Sequence, residues 1–141
     1  MAAALGYHVN GTAARLCFHL QQPSYNTDTL IEVLEQLAGF SSGQRVVRIW
    51  DGLSAHWSTK MRAFLDSQHD WLSVERLPAY APELNPVEYL WANLKDLELA
   101  NLPATTLAEV ADATTQGIQR VCKSDNLVVG FLAHTGLTLD P

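Results

Sequence analysis

Hydrophobic residues recur along the chain at two spacings, which predict strands alternating with helices. Leu5 to Val9 and Arg15 to Leu20 are short strand-like stretches on either side of Asn10-Gly11, a dipeptide favoured in tight hairpins. Val46 to Trp50 and Leu72 to Leu77 predict two further strands. Because Val46 to Trp50 is short and almost wholly apolar, we expect that strand to be buried on both faces, as in a sheet covered by helices.

Apolar residues at helical spacing predict helices between and after these strands. The predicted helices cover residues 26–38 and 57–68, a segment starting at Asn85, Thr106 to Val121, and Asn126 to His134. A strand, a helix and a second strand in succession indicate a parallel crossover. The pattern therefore predicts an α/β fold with a mixed sheet flanked by helices.

Composition narrows the class of protein. A chain of 141 residues with 48% hydrophobic residues fits a single domain spanning residues 1–141. No apolar run approaches the roughly 20 residues of a membrane helix, and the N-terminus lacks the basic flank of a signal peptide, so we expect a soluble, cytoplasmic protein. Cys17 and Cys122 lack metal-ligand spacing and are expected to be buried thiols rather than a disulfide.

The charge balance disfavours an isolated DNA-binding module. Nine basic and fifteen acidic residues give a formal net charge of −6, which leaves no large basic surface. If nucleic acid is the substrate, most affinity should come from another domain or chain. The basic residues that would contribute locally are Arg45, Arg48, Lys60, Arg62, Arg76 and Lys95.

Asp51 and Glu88 are the candidate chemical groups. Asp51 follows the apolar strand directly, and Glu88 falls in the first turn of the helix that Asn85 caps and Pro86 begins. Carboxylates at the edge of a sheet can bind divalent metal ions. Two such ions, about 3.5–4 Å apart, catalyse phosphoryl transfer in many enzymes. Each residue also has a structural alternative: Asp51 as a turn former, Glu88 as a capping-box acid. Two carboxylates are few ligands for two ions, so a third acid is expected.

Other polar and aromatic residues near these acids have two interpretations. His56 could orient a phosphate or water near the metals, or could be structural. Lys95 lies two helical turns beyond Glu88 and could reach a phosphate, or could be solvated or paired with a glutamate. Tyr80 and Tyr89 are candidates for stacking on bases, as are Trp50 and Trp91, although both tryptophans are more simply explained as core residues.

The segment from Leu77 to Trp91, which reads LPAYAPELNPVEYLW and is followed by Asn93-Leu94-Lys95, resembles DDE-superfamily transposases of mariner-related bacterial insertion sequences. Trp50-Asp51-Gly52, with His56 and Ser58, resembles the second acidic motif of that family, and its spacing from Glu88 is similar. The resemblance implies a ribonuclease-H-like fold, Mg²⁺ or Mn²⁺ as cofactor, transposon-end DNA as substrate, and strand cleavage and joining. It also implies that Asp51 and Glu88 are the second and third catalytic acids and metal ligands.

The first acid has no counterpart in this chain. In the family it lies on an opening strand that precedes the hairpin, whereas no acid precedes Asp28, which sits at a helix start. We therefore expect a fragment without its first strand and without the N-terminal helix-turn-helix region, inactive alone, with exposed strand edges. Such a chain would self-associate or bind a complementary N-terminal segment. It would be either the downstream part of a frameshifted enzyme or a relic.

Two other functions compete with a catalytic fragment. The first is a non-catalytic remnant or interaction module that pairs with an intact transposase. The second is another nuclease of the same fold, such as a resolvase or ribonuclease H, which the Asn85-Pro86-Val87-Glu88 context disfavours.

Overall fold

A computed structural model describes residues 2–11, 13–19, 25–41, 43–103 and 106–139, apart from the side chain of Asp125. The strands are β1 (Ala2–Tyr7), β2 (Ala14–His19), β3 (Val46–Trp50) and β4 (Leu72–Arg76). The helices are α1 (Thr27–Phe40), α2 (Thr59–Ser67), α3 (Pro86–Leu94), α4 (Leu107–Cys122) and α5 (Asp125–His134). Short 3₁₀-helices cover Ser54–Trp57 and Pro82–Leu84, and a π-helix covers Lys95–Leu99.

These elements form a mixed α/β fold with two small sheets and flanking helices, consistent with the predicted ribonuclease-H-like class. The chain divides into two compact units. The first unit contains residues 21–81, and the second contains residues 2–20 and 82–141. The single domain expected over residues 1–141 stays a prediction.

The first unit is built around the parallel pair β3 and β4, which confirms the predicted crossover. Val46 is opposite Leu72 and Trp50 is opposite Arg76. Apolar residues of α1 and α2 pack against one face of this pair. The buried side chains of this core are Leu34, Trp50, Met61 and Leu72.

The expected burial of β3 on both faces is wrong. Val47 is 64% exposed and Ile49 is 56% exposed, whereas Trp50 is 5% exposed. Successive residues of a strand point to opposite faces, and both helices of this unit pack on the face that carries Trp50. The strand therefore has one buried face and one exposed apolar face.

The second unit packs α3, α4 and α5 against the antiparallel hairpin of β1 and β2. Its buried residues come from the three helices and include Leu90, Leu94, Val121 and Phe131. The predicted first strand is displaced toward the N-terminus, because His8 N–H donates to the Ala13 carbonyl and closes a six-residue loop. Gly11 adopts a φ of 68° inside that loop. Leu20, the predicted end of the second strand, lies outside the described residues.

Two side-chain contacts tie the second unit together. The Tyr7 hydroxyl of β1 donates to the Val128 carbonyl of α5 at 2.9 Å, and desolvation by burial raises the pKa of Tyr7 to about 12. Arg120 of α4 donates to Glu98 at 2.7 Å (Nε to Oε1) and to Asn93 at 2.7 Å. Both contacts join elements that are far apart in the sequence.

The cysteines are free thiols, as expected, but only in part buried. Cys17 is partly buried, and Cys122 at the end of α4 is exposed, so the expectation of burial is wrong for Cys122. Burial of part of its surface nevertheless raises the pKa of the Cys122 thiol. Within the described segments, no helix combines the length and hydropathy needed to traverse a bilayer.

Candidate active site

Asp51 lies at the carboxyl end of β3, as its position in the sequence predicts. Its carboxylate oxygen Oδ1 accepts a hydrogen bond from Leu53 N–H at 3.1 Å, so the turn-forming interpretation is correct in part. The side chain is nevertheless 50% exposed. Within the described part of the chain, Oδ2 has no hydrogen-bond partner. One oxygen thus organises the turn while the other is available to a ligand.

His56 contacts Asp51 directly. Its Nδ1 lies 2.9 Å from Oδ1 of Asp51 and its side chain is 12% exposed. The imidazole stacks on the Trp50 indole, with ring centroids 4.2 Å apart and the planes 1° from parallel. Nδ1 also lies 3.3 Å from the Asp51 backbone carbonyl, which is its hydrogen-bond partner. A histidine held this close to a carboxylate restricts the orientation of that carboxylate. His56 is therefore placed to orient Asp51. The sequence analysis considered a contact with phosphate or water and a purely structural role, and orienting a candidate acid is neither of these.

Trp57 and Arg76 extend the surroundings of Asp51. Trp57 Nε1 donates to the Asp51 backbone carbonyl at 3.2 Å. The Arg76 guanidinium lies over the Trp57 ring, with its central carbon 5.6 Å from the ring centroid. The same guanidinium occupies the space that a side chain on Gly52 would need. The Trp57 ring and the Arg76 guanidinium thus lie beside the carboxyl end of β3.

Glu88 lies in the first turn of α3, as predicted, and is exposed. Its structural alternative, a capping-box acid, is not realised. The helix is capped by Asn85, whose side chain accepts from Val87 N–H at 3.2 Å. The Asn85 N–H, which a capping-box acid would accept, already donates to the Pro82 carbonyl at 2.9 Å. In the described chain the Glu88 carboxylate has neither a hydrogen-bond donor nor a cation as partner.

Glu109 provides an internal comparison. It occupies the same position of α4 relative to its cap, Thr106, as Glu88 does in α3. There the box is complete: Thr106 N–H donates to Glu109 Oε2 at 3.0 Å, and Glu109 N–H donates to Thr106 Oγ1 at 3.3 Å. The two glutamates share a helix position, but of the two only Glu109 completes a capping box in the described chain.

Lys95 is exposed and begins the π-helix that continues α3. Its ammonium has no acidic partner among the described residues, so the glutamate-paired interpretation is not supported. Asp28, the earliest acid, lies in the first turn of α1 and forms an ion pair with Lys60 at 2.5 Å. That pairing agrees with leaving Asp28 out of the candidate acids.

The aromatic candidates for base stacking differ in their surroundings. Trp50 is buried, and Trp91 packs against the core of the second unit. The Tyr89 hydroxyl donates to the His134 carbonyl at 3.2 Å, which gives it a structural role. Tyr80 is fully exposed and adopts a φ of 59°, which is unusual for a bulky residue.

The candidate residues fall into two groups. Asp51 and His56 lie together in the first unit. Glu88 lies on α3 of the second unit, and Lys95 begins the π-helix that follows α3 directly. No cluster of three or more His, Cys, Asp and Glu side chains suited to a metal ion occurs among the described residues. Convergence of Asp51 and Glu88 on one metal site therefore stays a prediction.

Sequence reasoning gave Arg76 only a general role and did not single out Trp57. The contact between them depends on the register of β3 and β4 and on the 3₁₀-helix after Asp51, neither of which a periodicity pattern defines. One signal was present: a glycine directly after the candidate acid, at a position where the Arg76 guanidinium occupies the space of a side chain.

Comparison with known proteins identifies the family. The chain matches the family model described as DDE superfamily endonuclease over residues 7–110, which is most of its length and includes Asp51, His56, Glu88 and Lys95. The chain therefore belongs to the DDE superfamily endonucleases. No match was found among the curated proteins.

Proposed function

We propose that this member of the DDE superfamily endonucleases is the catalytic part of a transposase, with Asp51 and Glu88 as its metal-binding acids. Family membership indicates DNA cleavage of the transposase type on a DNA substrate, in domains that generally depend on divalent metal ions. The observation that carries the residue assignment is Glu88. It is a first-turn carboxylate without a capping role, in the position where the family motif requires an acid.

The donor chemistry of both residues fits Mg²⁺ or Mn²⁺. These hard cations prefer carboxylate oxygens, and Asp51 Oδ2 and the Glu88 carboxylate are the oxygens left available in the described structure. Only with a third acid supplied do we expect a two-metal site, and ions held there would stabilise charge on the attacking and leaving oxygens of the DNA phosphodiester. His56, through Oδ1, would hold the Asp51 carboxylate in a fixed orientation. Lys95 would contact a phosphate.

We further propose that Asp51 and Glu88 are insufficient for catalysis and that a third acid must be supplied to them. The described residues contain no cluster of three candidate ligands, and β1 carries no acid. The proposed fragment would thus be inactive alone in strand cleavage and transfer. A complementary transposase segment would provide the missing acid.

Metal binding tests the assignment directly. We expect wild-type protein to bind Mn²⁺ in calorimetry, and Asp51→Asn and Glu88→Gln to weaken that binding about tenfold or more. Glu109→Gln is the matched control, because it removes one charge from the same helix position in α4 and should bind Mn²⁺ as wild type does. Equal binding by wild type and Glu88→Gln would contradict the role of Glu88.

Nicking of supercoiled plasmid with Mg²⁺ or Mn²⁺ tests the expected inactivity. We expect no nicking by the chain alone. Nicking that Asp51→Ala abolishes would show that the chain already contains its third acid, and the proposed dependence on another segment would then be wrong.

A non-catalytic interaction module is the second candidate function. It is favoured by the exposed apolar residues Val47 and Ile49 on β3, a strand that pairs on one side only within the described residues. Exposed strand edges and faces of this kind promote association with another chain. Co-purification with an intact transposase by a protein that binds no Mn²⁺ would support this candidate over the first.

A further inference from the structure

We propose that Arg76 binds a backbone phosphate of the DNA beside Asp51. This inference rests on the proposed function, since it takes DNA as the substrate. It assigns to one residue of the first unit a substrate contact that neither the family match nor the acidic motifs specify. The ligand group is a phosphodiester, and recognition would be independent of base sequence.

The strand register brings Arg76 next to the candidate acid. Arg76 ends β4 directly opposite Trp50, and Trp50 immediately precedes Asp51. The Leu77 N–H donates to the Trp50 carbonyl at 2.9 Å and extends this register beyond the strand. Because β3 and β4 are parallel, Asp51 and Arg76 both lie at their carboxyl ends, the usual location of ligand sites in α/β sheets.

Two contacts fix the guanidinium. Its central carbon lies over the Trp57 ring, 5.6 Å from the ring centroid, and its atoms fill the volume beside Gly52 that any larger residue would occupy. Trp57 in turn donates its indole N–H to the Asp51 carbonyl at 3.2 Å. The guanidinium and the candidate acid are therefore positioned by the same ring.

The donors of this guanidinium remain available. Arg76 is exposed, and in the described part of the chain no carboxylate pairs with it. Arg120 differs, because Glu98 and Asn93 occupy its donors. A guanidinium presents a planar fork of N–H groups that matches phosphate oxygens, and stacking on an aromatic ring reduces the conformational freedom lost on binding. In a chain with a net charge of −6, such a preorganised cation is a specific local feature.

Binding of a labelled DNA duplex, measured by fluorescence anisotropy over a salt series without divalent metal, tests the inference. We expect Arg76→Gln to weaken binding about three- to tenfold and to reduce the slope of log Kd against log salt by about one. Arg76→Lys should be intermediate, because it keeps the charge but loses the planar fork. Gly52→Ala should weaken binding as well, because it displaces the guanidinium without removing its charge.

Arg45→Gln is the matched control. Arg45 is also exposed and precedes β3, so it lies at the opposite end of the same parallel pair. Its loss should change Kd less than about twofold. Equal effects of Arg45→Gln and Arg76→Gln would overturn the inference, as would a wild-type protein that binds no duplex. Thermal melting of each variant separates loss of binding from loss of folding. If Gly52→Ala does not fold, the test depends on the Arg76 variants.

Mn²⁺ calorimetry on the same proteins distinguishes this inference from the proposed function. We expect Arg76→Gln to bind Mn²⁺ as wild type does. An unchanged DNA affinity in Arg76→Gln, together with Asp51-dependent Mn²⁺ binding, would overturn the inference alone. An unchanged Mn²⁺ affinity in Asp51→Asn, together with weakened DNA binding by Arg76→Gln, would overturn the metal assignment and leave Arg76 as a phosphate contact.

Discussion

At the scale of single residues, position along a helix does not determine the role of a side chain. Glu88 and Glu109 each follow their cap by three residues, but the neighbouring backbone differs. A 3₁₀ turn before α3 satisfies the cap N–H through the Pro82 carbonyl, whereas the Thr106 N–H donates to the Glu109 carboxylate. The 3₁₀ turn thus leaves the Glu88 carboxylate without a capping role, whereas the Glu109 carboxylate closes a capping box.

This difference predicts unequal stability effects. Glu109→Ala should lower the free energy of unfolding by about 1 kcal/mol, because it breaks the capping box. Glu88→Ala should lower it by about 0.5 kcal/mol or less, since it removes only a favourable charge near the helix dipole. Urea denaturation of both variants measures the difference. An equal or larger loss in Glu88→Ala would show that Glu88 has a structural role.

At the scale of elements, close packing of α4 against α3 and the hydrogen bond of the Tyr7 hydroxyl join parts of the second unit. Gly117 of α4 faces Leu94 and Glu98, at the junction of α3 and the π-helix. A Cβ at Gly117 would lie 2.5 Å from a Leu94 methyl carbon and 2.7 Å from the Glu98 carboxyl carbon, closer than atoms pack. Glu98 cannot move aside freely because it is bound to Arg120.

Gly117→Ala should therefore destabilise the protein by about 1–3 kcal/mol, the usual cost of overpacking. Gly130 of α5 is the control, because a Cβ there meets nothing within 4 Å. Gly130→Ala should instead stabilise the protein by about 0.5–1 kcal/mol, through the higher helix propensity of alanine. Chemical denaturation of both variants tests the pair. A neutral Gly117→Ala would mean that α3 and α4 can separate without loss.

Tyr7 should make stability depend on alkaline pH. Its pKa is raised to about 12 in the folded protein, whereas an unfolded tyrosine titrates near 10. Between about pH 10 and 12 the unfolded state binds fewer protons, so stability is full below pH 10 and falls as pH rises. Because Tyr7 is half-buried, we expect its share to be about 1 kcal/mol or less.

The matching variant is Tyr7→Phe, which removes the titrating hydroxyl. It should cost about 1 kcal/mol at neutral pH, through loss of the hydrogen bond to the Val128 carbonyl. Its stability should fall less steeply between about pH 10 and 12 than that of the wild type. Parallel pH dependences of the two proteins in urea denaturation would contradict this assignment.

At the scale of the whole molecule, the exposed face of β3 is the main departure from a fully covered α/β sheet. Val47 and Ile49 are more than half exposed. Neighbouring apolar residues on one strand face form a surface suited to another chain. We therefore propose this face of the first unit as the location of the association predicted from the sequence.

We expect wild-type protein to self-associate with rising concentration in sedimentation velocity experiments. A Val47→Thr, Ile49→Thr double variant should raise the apparent dissociation constant about tenfold or more, because burial of each such side chain contributes about 1.5 kcal/mol or more. Val9→Thr is the control, since Val9 is 75% exposed but lies in the hairpin loop. Monomeric wild-type protein at every concentration would contradict this prediction.

Much of the fold follows from the sequence, because helix boundaries are determined locally. Caps and helical spacing predicted α1, α4 and α5 to within two residues at each end. Asn85 and Pro86 likewise predicted the start of α3. These signals involve neighbouring residues, so a single sequence contains them.

Features that depend on distant residues were predicted less well. The hairpin strands were displaced because a dipeptide does not determine loop length, and β3 was expected to be covered because composition does not specify what packs on a strand. The acids Asp51 and Glu88 were chosen from their positions after a strand and in a first helical turn, and from the family motifs; their role as a site stays a prediction. The cluster of His56, Trp57 and Arg76 around Asp51 requires a register between strands that are separated by a helix.

The division of the chain into a continuous first unit and a second unit built from both ends has a consequence for synthesis on the ribosome. Residues 21–81 can fold as soon as they emerge, whereas β1 and β2 must wait for α3, α4 and α5 before their apolar face is covered. The hairpin is therefore translated before the first unit but completed after it. In the cell, the nascent hairpin would be the segment most exposed to chaperone capture and premature aggregation.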